Sequence, residues 1–270
     1  MRTLVVIPAR YGSTRFPGKP LQPVLGIRLL QRVFAIARSV VGDDVIVSTD
    51  DERIARFAER LGAEVIMTSP DIRNGTERVA ATLDLVSRRP DFVVNLQGDA
   101  VLTPPWVIGA LIRAAESDPS LQMVTPATRM TPDSYERLKA AKAAGEVGGT
   151  TVTFDQGGWA LYFSKSIIPF VRAGAREPPV FRHIGLYGYR PDTLRRLVSL
   201  EPGPLETAEQ LEQLRALEHG IPIRVVTVDY RGRTHWGIDT EEDLRRCEEL
   251  ICAEGELLPT YETNSGKIPC

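Results

Sequence analysis

The feature that most constrains the fold is an alternation of short apolar runs with amphipathic segments along the first half of the chain. The apolar runs are rich in β-branched residues and cover residues 4–7, 45–48, 64–67, 92–96 and 123–126. Between them, apolar side chains recur at helical spacing over residues 28–40, 51–61, 75–88 and 105–116. Short apolar strands joined by helices are typical of βαβ units. The pattern predicts an α/β fold with a mostly parallel, Rossmann-like sheet flanked by helices.

The second half of the chain is less regular and predicts a smaller, mixed α/β part. Its predicted strands cover residues 150–163, 181–190 and 224–230, and its predicted helices cover 205–220 and 240–254. Thr240 is a suitable N-cap for the last helix, with Asp243 three residues later. We therefore predict a single domain over residues 1–254, with halves 1–130 and 131–254, and a C-terminal tail over 255–270.

Composition and charge exclude several classes of partner. The 270 residues carry a formal net charge of −2, with a pI near 6.0, so the chain lacks the overall basic character of a nucleic-acid-binding protein. No apolar run approaches the roughly 20 residues that span a bilayer, and the short apolar start is not typical of a signal peptide. The three cysteines show no CxxC spacing, which fits neither a zinc site nor a disulfide framework. We predict a cytoplasmic protein that binds neither nucleic acid nor membrane.

The first candidate site is the loop after the first strand, which reads PARYGSTRFPGKP over residues 8–20. Ligands of open α/β sheets bind outside the carboxyl ends of the strands. Arg10, Arg15 and Lys19 could hold phosphate oxygens there, while Gly12 and Gly18 let the backbone approach a ligand. The loop matches neither GxxxxGK[ST] nor GxGxxG. A polyphosphate site and a solvated basic loop are both compatible with this pattern.

Two aspartates are candidate metal ligands. Asp99 follows the apolar run at 92–96, and Asp239 precedes the helix predicted at 240–254. Carboxylates at the carboxyl end of a central strand suit Mg²⁺. Each aspartate could equally cap the helix that follows it. The metal hypothesis requires the two side chains to meet although they lie 140 positions apart in the sequence.

Other polar residues also have two interpretations. The segment NGTER, residues 74–78, could contact a ligand or simply start a helix, with Glu77 at the positive end of its dipole. His183 could be functional or a structural strand residue. The glutamates of 205–220 could form a solvated helix face, on which Glu212 and Arg215 have the spacing of a surface ion pair.

Seven segments in order resemble one known family. They include IPARYGSTRFPGKPL, MTSPDIRNGTERVAA, FVVNLQGDAVLTPP, WALYFSKSIIPF, FRHIGLYGYR and HWGIDTEEDL. Together they cover nearly all of residues 3–250. The chain resembles the cytidylyltransferases that make CMP-Kdo, where Kdo is the eight-carbon sugar acid 3-deoxy-manno-octulosonate. The resemblance implies a fold of the nucleotide-diphospho-sugar transferase type, with a sugar-binding and dimerisation lobe in the second half.

The resemblance also implies an activity. A hydroxyl of the sugar acid would attack the α-phosphate of CTP with Mg²⁺ as cofactor, giving a CMP-sugar for lipopolysaccharide synthesis and pyrophosphate. The implied catalytic residues are Arg10, Lys19, Asp99 and Asp239, of which the two aspartates would hold the metal. The implied nucleotide-binding residues are Pro8, Ala9, Arg10, Gly12, Ser13, Lys19, Asn74, Gly75, Arg78 and Gln97. The implied sugar-binding residues are Lys165, His183, Tyr187, Glu209, Glu212 and Gln213. The implied partners are CTP, a 3-deoxy-sugar acid and a second copy of the chain.

The sequence departs from the family pattern at two places. The family reads QGDEP where this chain has Ala100 and Val101 after QGD, and its Asn-x-x-Val-Lys segment is replaced by EVGGTTVTFDQGG over 146–158. Because both changes affect the part expected to shape the sugar pocket, the acceptor could be a related acid such as 8-amino-8-deoxy-Kdo. Sequence drift in a loop is the alternative explanation.

Three other functions remain open at this point. They are a sugar nucleotidyltransferase with another base or sugar, a glycosyltransferase of similar architecture, and a non-catalytic sugar-nucleotide-binding protein. A GxGTRL-type opening would favour the first and a DxD pair the second, whereas this chain has PARYGSTRFPGKP and a lone Asp99 at those positions. The cations and carboxylates named above argue against the third.

Overall fold

The computed structural model describes residues 1–12, 16–172 and 179–258. The chain forms two compact units. The first unit contains Met1–Ile112 together with the segment that begins at Tyr230, and the second contains Arg113–Asp229. The first unit is therefore built from two stretches that are far apart in the sequence.

The first unit contains the predicted alternation of strands and helices. In chain order the elements are β1 (Thr3–Ala9), a 3₁₀ turn (Lys19–Leu21), β2 (Pro23–Val24), β3 (Ile27–Arg28), α1 (Leu29–Val41), β4 (Val45–Thr49), α2 (Glu52–Arg60), β5 (Glu64–Met67), α3 (Gly75–Leu85), β6 (Phe92–Asn95) and α4 (Pro105–Ser117), of which the residues up to Ile112 belong to this unit. The predicted strands and helices of this region are confirmed, with shifts of a few residues at their ends.

Four strands of the first unit form a parallel sheet in the order β5–β4–β1–β6. Every residue of β1, β4 and β6 is buried. Helices α1 and α3 pack against β1, and α2 packs against β5. Strands that are buried on both faces read as continuous apolar runs. The predicted α/β class with a parallel, helix-flanked sheet is confirmed.

A short hairpin that the sequence did not predict lies between the first loop and α1. Strands β2 and β3 pair antiparallel and are joined by Leu25 and Gly26, whose φ angles are 48° and 76°. A two-residue hairpin turn of type I′ requires positive φ at both positions. Leucine at the first position gives no turn signal, so the pattern PVLGIR does not reveal the hairpin.

The second unit contains short strands and short helices. In chain order they are β7 (Met123–Arg129), α5 (Pro132–Ala143), β8 (Thr151–Phe154), β9 (Ala160–Ser164), β10 (Phe181–His183), β11 (Tyr187–Tyr189), α6 (Pro191–Val198), α7 (Pro204–Glu209), α8 (Gln213–Glu218) and β12 (Ile223–Thr227). Strand β7 pairs antiparallel with β10 and β11 and parallel with β12, and β8 pairs antiparallel with β9 and β10. The mixed α/β character predicted for the second half is confirmed.

The single helix predicted over 205–220 is wrong, because two helices occupy this segment. Gln210 ends α7 in the left-handed conformation, with φ 52°, and α8 begins at Gln213. Arg215 on α8 holds Glu206 on α7 through two hydrogen bonds of 2.6 and 2.7 Å. Nine residues of straight helix would place these side chains about 13 Å apart along the axis. The break therefore lets a buried ion pair form.

Two helices of the second unit were not predicted. Thr131 caps α5 by accepting a hydrogen bond from Ser134 N–H, and Pro132 lies in its first turn. Only Leu138 of α5 is buried, so this helix lacks the apolar period that reveals a helix in a sequence. Helix α6 is only eight residues long. The proline in the first turn of each helix is the sequence feature from which these helices could have been predicted.

The last described helix is α9 (Glu241–Glu254), whose residues belong to the first unit. Thr240 and Asp243 form the predicted capping box. The predicted halves end at residue 130, whereas the units divide near residues 112 and 229, because the segment from 230 onward packs with the first unit. Residues 259–270 of the predicted tail lie outside the described residues. None of the described helices is both long and apolar enough to cross a membrane.

Candidate active site

The loop after β1 starts at the carboxyl end of a buried strand. Pro8 and Ala9 are buried, and Arg10 is exposed directly after them. Gly18 has φ 69°, and a Cβ on it would lie 3.1 Å from the ring of Tyr11. The Gly18 N–H donates to the Tyr11 carbonyl at 2.9 Å. Glycine at position 18 therefore allows the tight turn that leads into the 3₁₀ segment.

Three further positions of this loop were predicted to take part in binding. Gly12 is exposed, and none of the described residues has an atom within 4 Å of a Cβ added to it. Ser13 and Arg15 lie outside the described residues.

Lys19 brings together the two aspartates that are far apart in the sequence. Its Nζ lies 2.7 Å from Asp99 Oδ2 and 3.8 Å from Asp239 Oδ1. The same ammonium donates to the carbonyl oxygen of Ile238 at 2.5 Å. All of these residues belong to the first unit. The convergence that the metal hypothesis requires is therefore present in the structure.

A tight turn after β6 presents Asp99. Val101 N–H donates to the carbonyl oxygen of Asp99 at 2.9 Å, and Val101 is buried. A Cβ on Gly98 would lie 2.8 Å from the carbonyl oxygen of Pro8, closer than such contacts are normally found. Glycine at position 98 thus lets this turn lie against the end of β1.

Asp239 is held at the start of α9 by Asp243. The Asp239 N–H donates to Asp243 Oδ2 at 3.0 Å, and Trp236 Nε1–H donates to Asp243 Oδ1 at 3.1 Å. Burial acts to raise the pKa of Asp243, but hydrogen bonds from Asp239, Thr240 and Trp236 outweigh it and hold this pKa below its ordinary value. An ionised carboxylate therefore anchors the segment that carries Asp239.

Lys19 lies between two carboxylates and is more buried than either of them. The Lys19 side chain is 16% exposed, and its two carboxylate partners are 27% and 51% exposed. Carboxylate oxygens are ligands of Mg²⁺, so the donor set fits a divalent cation at the position that the ammonium occupies. The described part of the chain holds no group of three or more His, Cys, Asp and Glu side chains that could form a complete metal site. A metal here would therefore take its other ligands from water or from a bound substrate.

Gln97 and Gly75 lie together beside the end of β1. A Cβ on Gly75 would lie 3.0 Å from Gln97 Oε1 and 3.3 Å from Pro8 Cγ. The Gln97 side chain donates to Asn95 Oδ1 at 3.0 Å. This hydrogen bond fixes the amide of Gln97 against the N-terminus of α3.

The loop before α3 carries Asn74 and contacts Arg10. Asn74 Oδ1 accepts a 2.8 Å hydrogen bond from Glu77 N–H, so Asn74 is the N-cap of α3. Arg10 Nη1 donates to the Arg73 carbonyl at 3.5 Å, a long hydrogen bond. The structure therefore supports the helix-start interpretation of NGTER and places Arg10 beside it.

Arg78 has a structural position. Its side chain is 3% exposed, and its guanidinium donates to Asp50 Oδ2 at 2.8 Å and to Thr68 Oγ1 at 2.5 Å. Because it binds Thr68, the guanidinium of Arg78 stabilises the loop that precedes α3. Asp50, which the sequence analysis did not select, appears in the sequence only as the first acid of TDDER.

In the second unit, Glu209 holds the end of β9. Its Oε1 accepts from Ser164 Oγ at 2.6 Å, and its Oε2 accepts from the backbone N–H of Lys165 at 2.8 Å. Glu209 thus orders the segment that carries Lys165. Lys165 and Glu209, both predicted to bind the sugar, therefore lie together although they are 44 positions apart in the sequence.

His183 lies in a buried aromatic cluster of the second unit. Its Nε2 lies 2.9 Å from Thr125 Oγ1, and its ring packs against Phe163 and Tyr187 with centroid distances of 4.9 and 5.5 Å. Removal from water raises the pKa of Tyr187 well above its ordinary value, and the Glu212 carboxylate adds to this effect. The cluster gathers His183, Tyr187 and Glu212 in one part of the unit.

The first residues of α8 include two that the sequence singled out. Gln213 is 4% exposed, and its Nε2 has no hydrogen-bond partner among the described residues. Arg215 is 5% exposed and binds Glu206, so the surface position predicted for Arg215 is wrong.

A cation that the sequence analysis did not select also lies in the second unit. Lys142 Nζ donates to the Gly148 carbonyl at 2.5 Å. Burial lowers the pKa of Lys142, and the neighbouring charges of Lys165 and Arg182 lower it further. Three cations therefore lie near the segment 146–158, where the family's usual lysine is missing.

Comparisons with known proteins identify the family. The model of the family described as Cytidylyltransferase matches residues 4–224. A 3-deoxy-manno-octulosonate cytidylyltransferase of Maricaulis maris is 54% identical over 259 residues, which cover 96% of this chain and all of that protein. The corresponding enzyme of Chlamydia abortus is 42% identical, covering 91% of this chain and 92% of its own length. The chain belongs to the 3-deoxy-manno-octulosonate cytidylyltransferase family.

Solved structures agree with this assignment. A CMP:2-keto-3-deoxy-manno-octonic acid synthetase complexed with CTP superposes with a TM-score of 0.82 and 34% identity, covering 94% of this chain and all of that one. A cytidylyltransferase from Leptospira borgpetersenii, 16% identical with a TM-score of 0.60 over 94% of this chain and 87% of its own, shares the fold. Members of the 3-deoxy-manno-octulosonate cytidylyltransferase family are nucleotidyltransferases, so the chain is an enzyme of that class.

The departures from the 3-deoxy-manno-octulosonate cytidylyltransferase pattern have defined positions. Val101 is buried in the turn after Asp99, and Ala100 N–H donates to the Gln97 carbonyl at 3.0 Å. The segment 146–158 contains β8 and the first four residues, Asp155 to Gly158, of the five-residue loop that leads to β9. Much of this replaced segment is therefore ordered as a strand and a hairpin.

Proposed function

We propose that the protein transfers the CMP group of CTP to a 3-deoxy-octulosonate sugar acid. A hydroxyl oxygen on the anomeric carbon of the sugar acid attacks the α-phosphorus of CTP. The bond between the α-phosphorus and the bridging oxygen to the β-phosphate breaks, pyrophosphate leaves, and the hydroxyl proton passes to solvent. The products are a CMP-sugar and pyrophosphate. The convergence of Lys19, Asp99 and Asp239 beside the loop after β1 is the observation that carries this proposal.

The nucleotide-binding residues are those that the family resemblance implies, and the positions of the described ones around the end of β1 support this assignment. We propose that Arg10 and Lys19 offset the negative charge of the triphosphate and that, as the family resemblance implies, backbone N–H groups at Ala9, Gly12 and Ser13 donate to it. Gln97, beside Gly75, faces the base. The remaining proposed contacts come from Pro8 and Asn74, whereas Arg78 acts indirectly by binding Thr68 in the loop that carries Asn74.

Asp99 and Asp239 would hold Mg²⁺. When bound, the metal would neutralise phosphate charge and lower the pKa of the attacking hydroxyl. The two carboxylates themselves contribute by orientation, since Asp99 is fixed in the turn after β6 and Asp239 at the N-terminus of α9. Phosphoryl-type transfer depends mainly on such positioning and on charge neutralisation.

The sugar acid would be bound by polar residues of the second unit. They are Lys165, His183, Tyr187, Glu209, Glu212 and Gln213. The buried amide nitrogen of Gln213 supports this role, because such a group needs a partner and a sugar hydroxyl could supply one. Glu209 acts on the Lys165 backbone and so shapes the site.

We further propose the setting of this activity. The product would serve lipopolysaccharide synthesis in the cytoplasm, and the enzyme would act as a homodimer through its second unit. Measuring the molecular mass in solution by light scattering tests the dimer; a monomer at micromolar concentration would contradict it.

The decisive experiment incubates the protein with CTP, Mg²⁺ and a panel of 3-deoxy-sugar acids. We expect a CMP-sugar detectable by mass spectrometry and stoichiometric pyrophosphate. ATP, GTP and UTP serve as controls for the base. If CTP gave no product with any sugar acid, or another nucleotide were preferred, the proposed function would be wrong.

A specific observation also favours a variant acceptor. Ala100 and Val101 replace the family's Glu-Pro, and the segment 146–158 lacks the usual lysine. We propose that the enzyme prefers a related acid such as 8-amino-8-deoxy-Kdo. Competition between Kdo and its 8-amino analogue in one reaction gives the ratio of their kcat/KM values directly. A strong preference for Kdo would contradict this choice of substrate.

A further inference from the structure

The ammonium of Lys19 is bound to the two proposed metal ligands in this structure. An ammonium has three N–H donors and no acceptor. The Lys19 ammonium donates to Asp99 Oδ2 at 2.7 Å and to the Ile238 carbonyl at 2.5 Å, and it lies 3.8 Å from Asp239 Oδ1. Its side chain is only 16% exposed. Most of the hydrogen-bonding capacity of this lysine is therefore satisfied by the protein itself.

We propose that Lys19 acts as an internal counter-ion that holds the two carboxylates together and excludes a divalent cation until a nucleotide binds. The triphosphate then draws the ammonium away from Asp99, and the position between the carboxylates becomes available to the metal. This inference rests on the proposed function and deepens it, because it gives Lys19 one role before nucleotide binding and another afterwards.

Electrostatics supports the exchange. Two carboxylates that share a site repel each other unless a cation lies between them. An ammonium at 2.7 Å from Asp99 fills this role, but it would repel a divalent cation at the same position. A polyanion beside the loop after β1 gives the ammonium a new partner. Binding of metal and of nucleotide are therefore coupled, and each strengthens the other by the same factor.

The test measures metal binding without any turnover. Mn²⁺ is titrated into the nucleotide-free protein, and free Mn²⁺ is followed by electron paramagnetic resonance. The variants are Lys19→Met, which keeps the chain length but removes the charge, and Lys19→Arg, which keeps the charge. We expect Lys19→Met to bind Mn²⁺ alone at least about tenfold more tightly than the natural protein, a change of about 1.4 kcal/mol. Lys19→Arg is expected to bind Mn²⁺ as weakly as the natural protein does.

A double variant shows whether the tighter site is the intended one. In Lys19→Met combined with Asp99→Asn, the gain in Mn²⁺ affinity is expected to disappear. A second arm repeats the titrations with saturating CTP and no sugar acid. Nucleotide is expected to raise Mn²⁺ affinity strongly in the natural protein and only weakly in Lys19→Met.

The outcomes separate this inference from the proposed function. If Lys19→Met binds Mn²⁺ no more tightly than the natural protein, or if its gain survives Asp99→Asn, the counter-ion role is wrong. Lys19→Gln gives the same readout if Lys19→Met does not fold, as judged by circular dichroism. If Mn²⁺ binding follows the expectation but no CMP-sugar forms, the proposed function fails and the counter-ion role stands.

Discussion

At the scale of single residues, the candidate site contains one lysine between two acids. Lys19 is more buried than either acid, and its shortest ion pair, with Asp99, spans 2.7 Å. Cationic loops in a sequence are more often solvated than functional, so this pairing could not be read from the spacing of Arg10 and Lys19. The ion pair with Asp99 distinguishes Lys19 from Arg10, which is exposed.

Replacing Lys19 by alanine is expected to slow CMP-sugar formation. Loss of one preorganised donor to a transition-state oxyanion costs about 2–4 kcal/mol, equivalent to roughly a thirty- to thousandfold loss in kcat. Steady-state assays with CTP in excess measure this effect. Lys139→Ala, an exposed lysine on α5, is the matched control and is expected to keep normal activity. Near-normal turnover of Lys19→Ala would exclude a role at the leaving phosphates.

Asp99→Asn is expected to raise the Mg²⁺ concentration needed for half-maximal rate. The amide keeps the shape of the side chain but removes the charge that favours a hard cation. A titration of initial rate against Mg²⁺ at fixed CTP measures the shift. Asp192→Asn changes a fully exposed carboxylate and serves as the control. An unchanged Mg²⁺ titration for Asp99→Asn would count against its assignment as a metal ligand.

At the scale of secondary structure, local signals decided which elements could be predicted. The strands β1, β4 and β6 are fully buried and read as apolar runs, so the sequence predicted them well. The hairpin at Leu25 and the break at Gln210 were missed, because both use positive φ at residues that rarely adopt it. Side-chain contacts accompany both conformations: Leu25 N–H donates to Glu248, and Arg215 binds Glu206 across the break at Gln210.

Local sequence signals also decided which residues of the candidate site could be selected. Asp99 and Asp239 could be selected because each adjoins a recognisable strand or helix. Asp50, Lys142 and the Ile238 carbonyl could not, since their importance comes only from the partner that each one meets in the fold. Single candidate residues could thus be identified from the sequence, whereas the contacts between them could not.

The N-cap of α2 gives a prediction about pH. Asp51 accepts hydrogen bonds from Arg53 N–H and Ile54 N–H, and the Arg53 side chain, followed by these backbone donors, lowers its pKa below the ordinary 3.8 despite opposition from burial. A lowered folded-state pKa stabilises the protein above about pH 3.8, and this contribution is lost as pH falls through the folded-state value. Asp51→Ala is expected to lower the free energy of unfolding by about 1 kcal/mol at pH 7.

Urea denaturation between pH 7 and pH 3 measures this difference. The gap between the natural protein and Asp51→Ala is expected to narrow as pH falls below 3.8. Asp43→Ala, at an exposed position after α1, is the control. A gap that stayed constant down to the lowest pH would show that the ionised form of Asp51 contributes nothing.

At the scale of the whole molecule, the core of the first unit contains a buried thiol whose alkylation rate measures how often the fold opens. Cys247 on α9 is fully buried, and burial raises its pKa from 9.0 to about 12. Only the thiolate reacts with alkylating reagents, so three pKa units reduce the reactive fraction about a thousandfold near neutral pH. We expect iodoacetamide to modify Cys247 in the native protein at least that much more slowly than in urea.

Peptide mapping by mass spectrometry identifies which cysteine is modified. The protection of Cys247 is expected to disappear over the same urea range as the loss of circular dichroism. Rapid alkylation of Cys247 in the native state would mean that α9 opens independently of the sheet.

The discontinuity of the first unit affects how the protein is made. Residues 1–112 leave the ribosome long before the segment from 230 onward, and the whole second unit is synthesised in between. Lys19 and Asp99 therefore emerge without Asp239 and Ile238. A nascent chain stalled before residue 230 would hold one acid of the proposed site and its lysine but not the second acid, so the proposed site can form only after Asp239 has been synthesised.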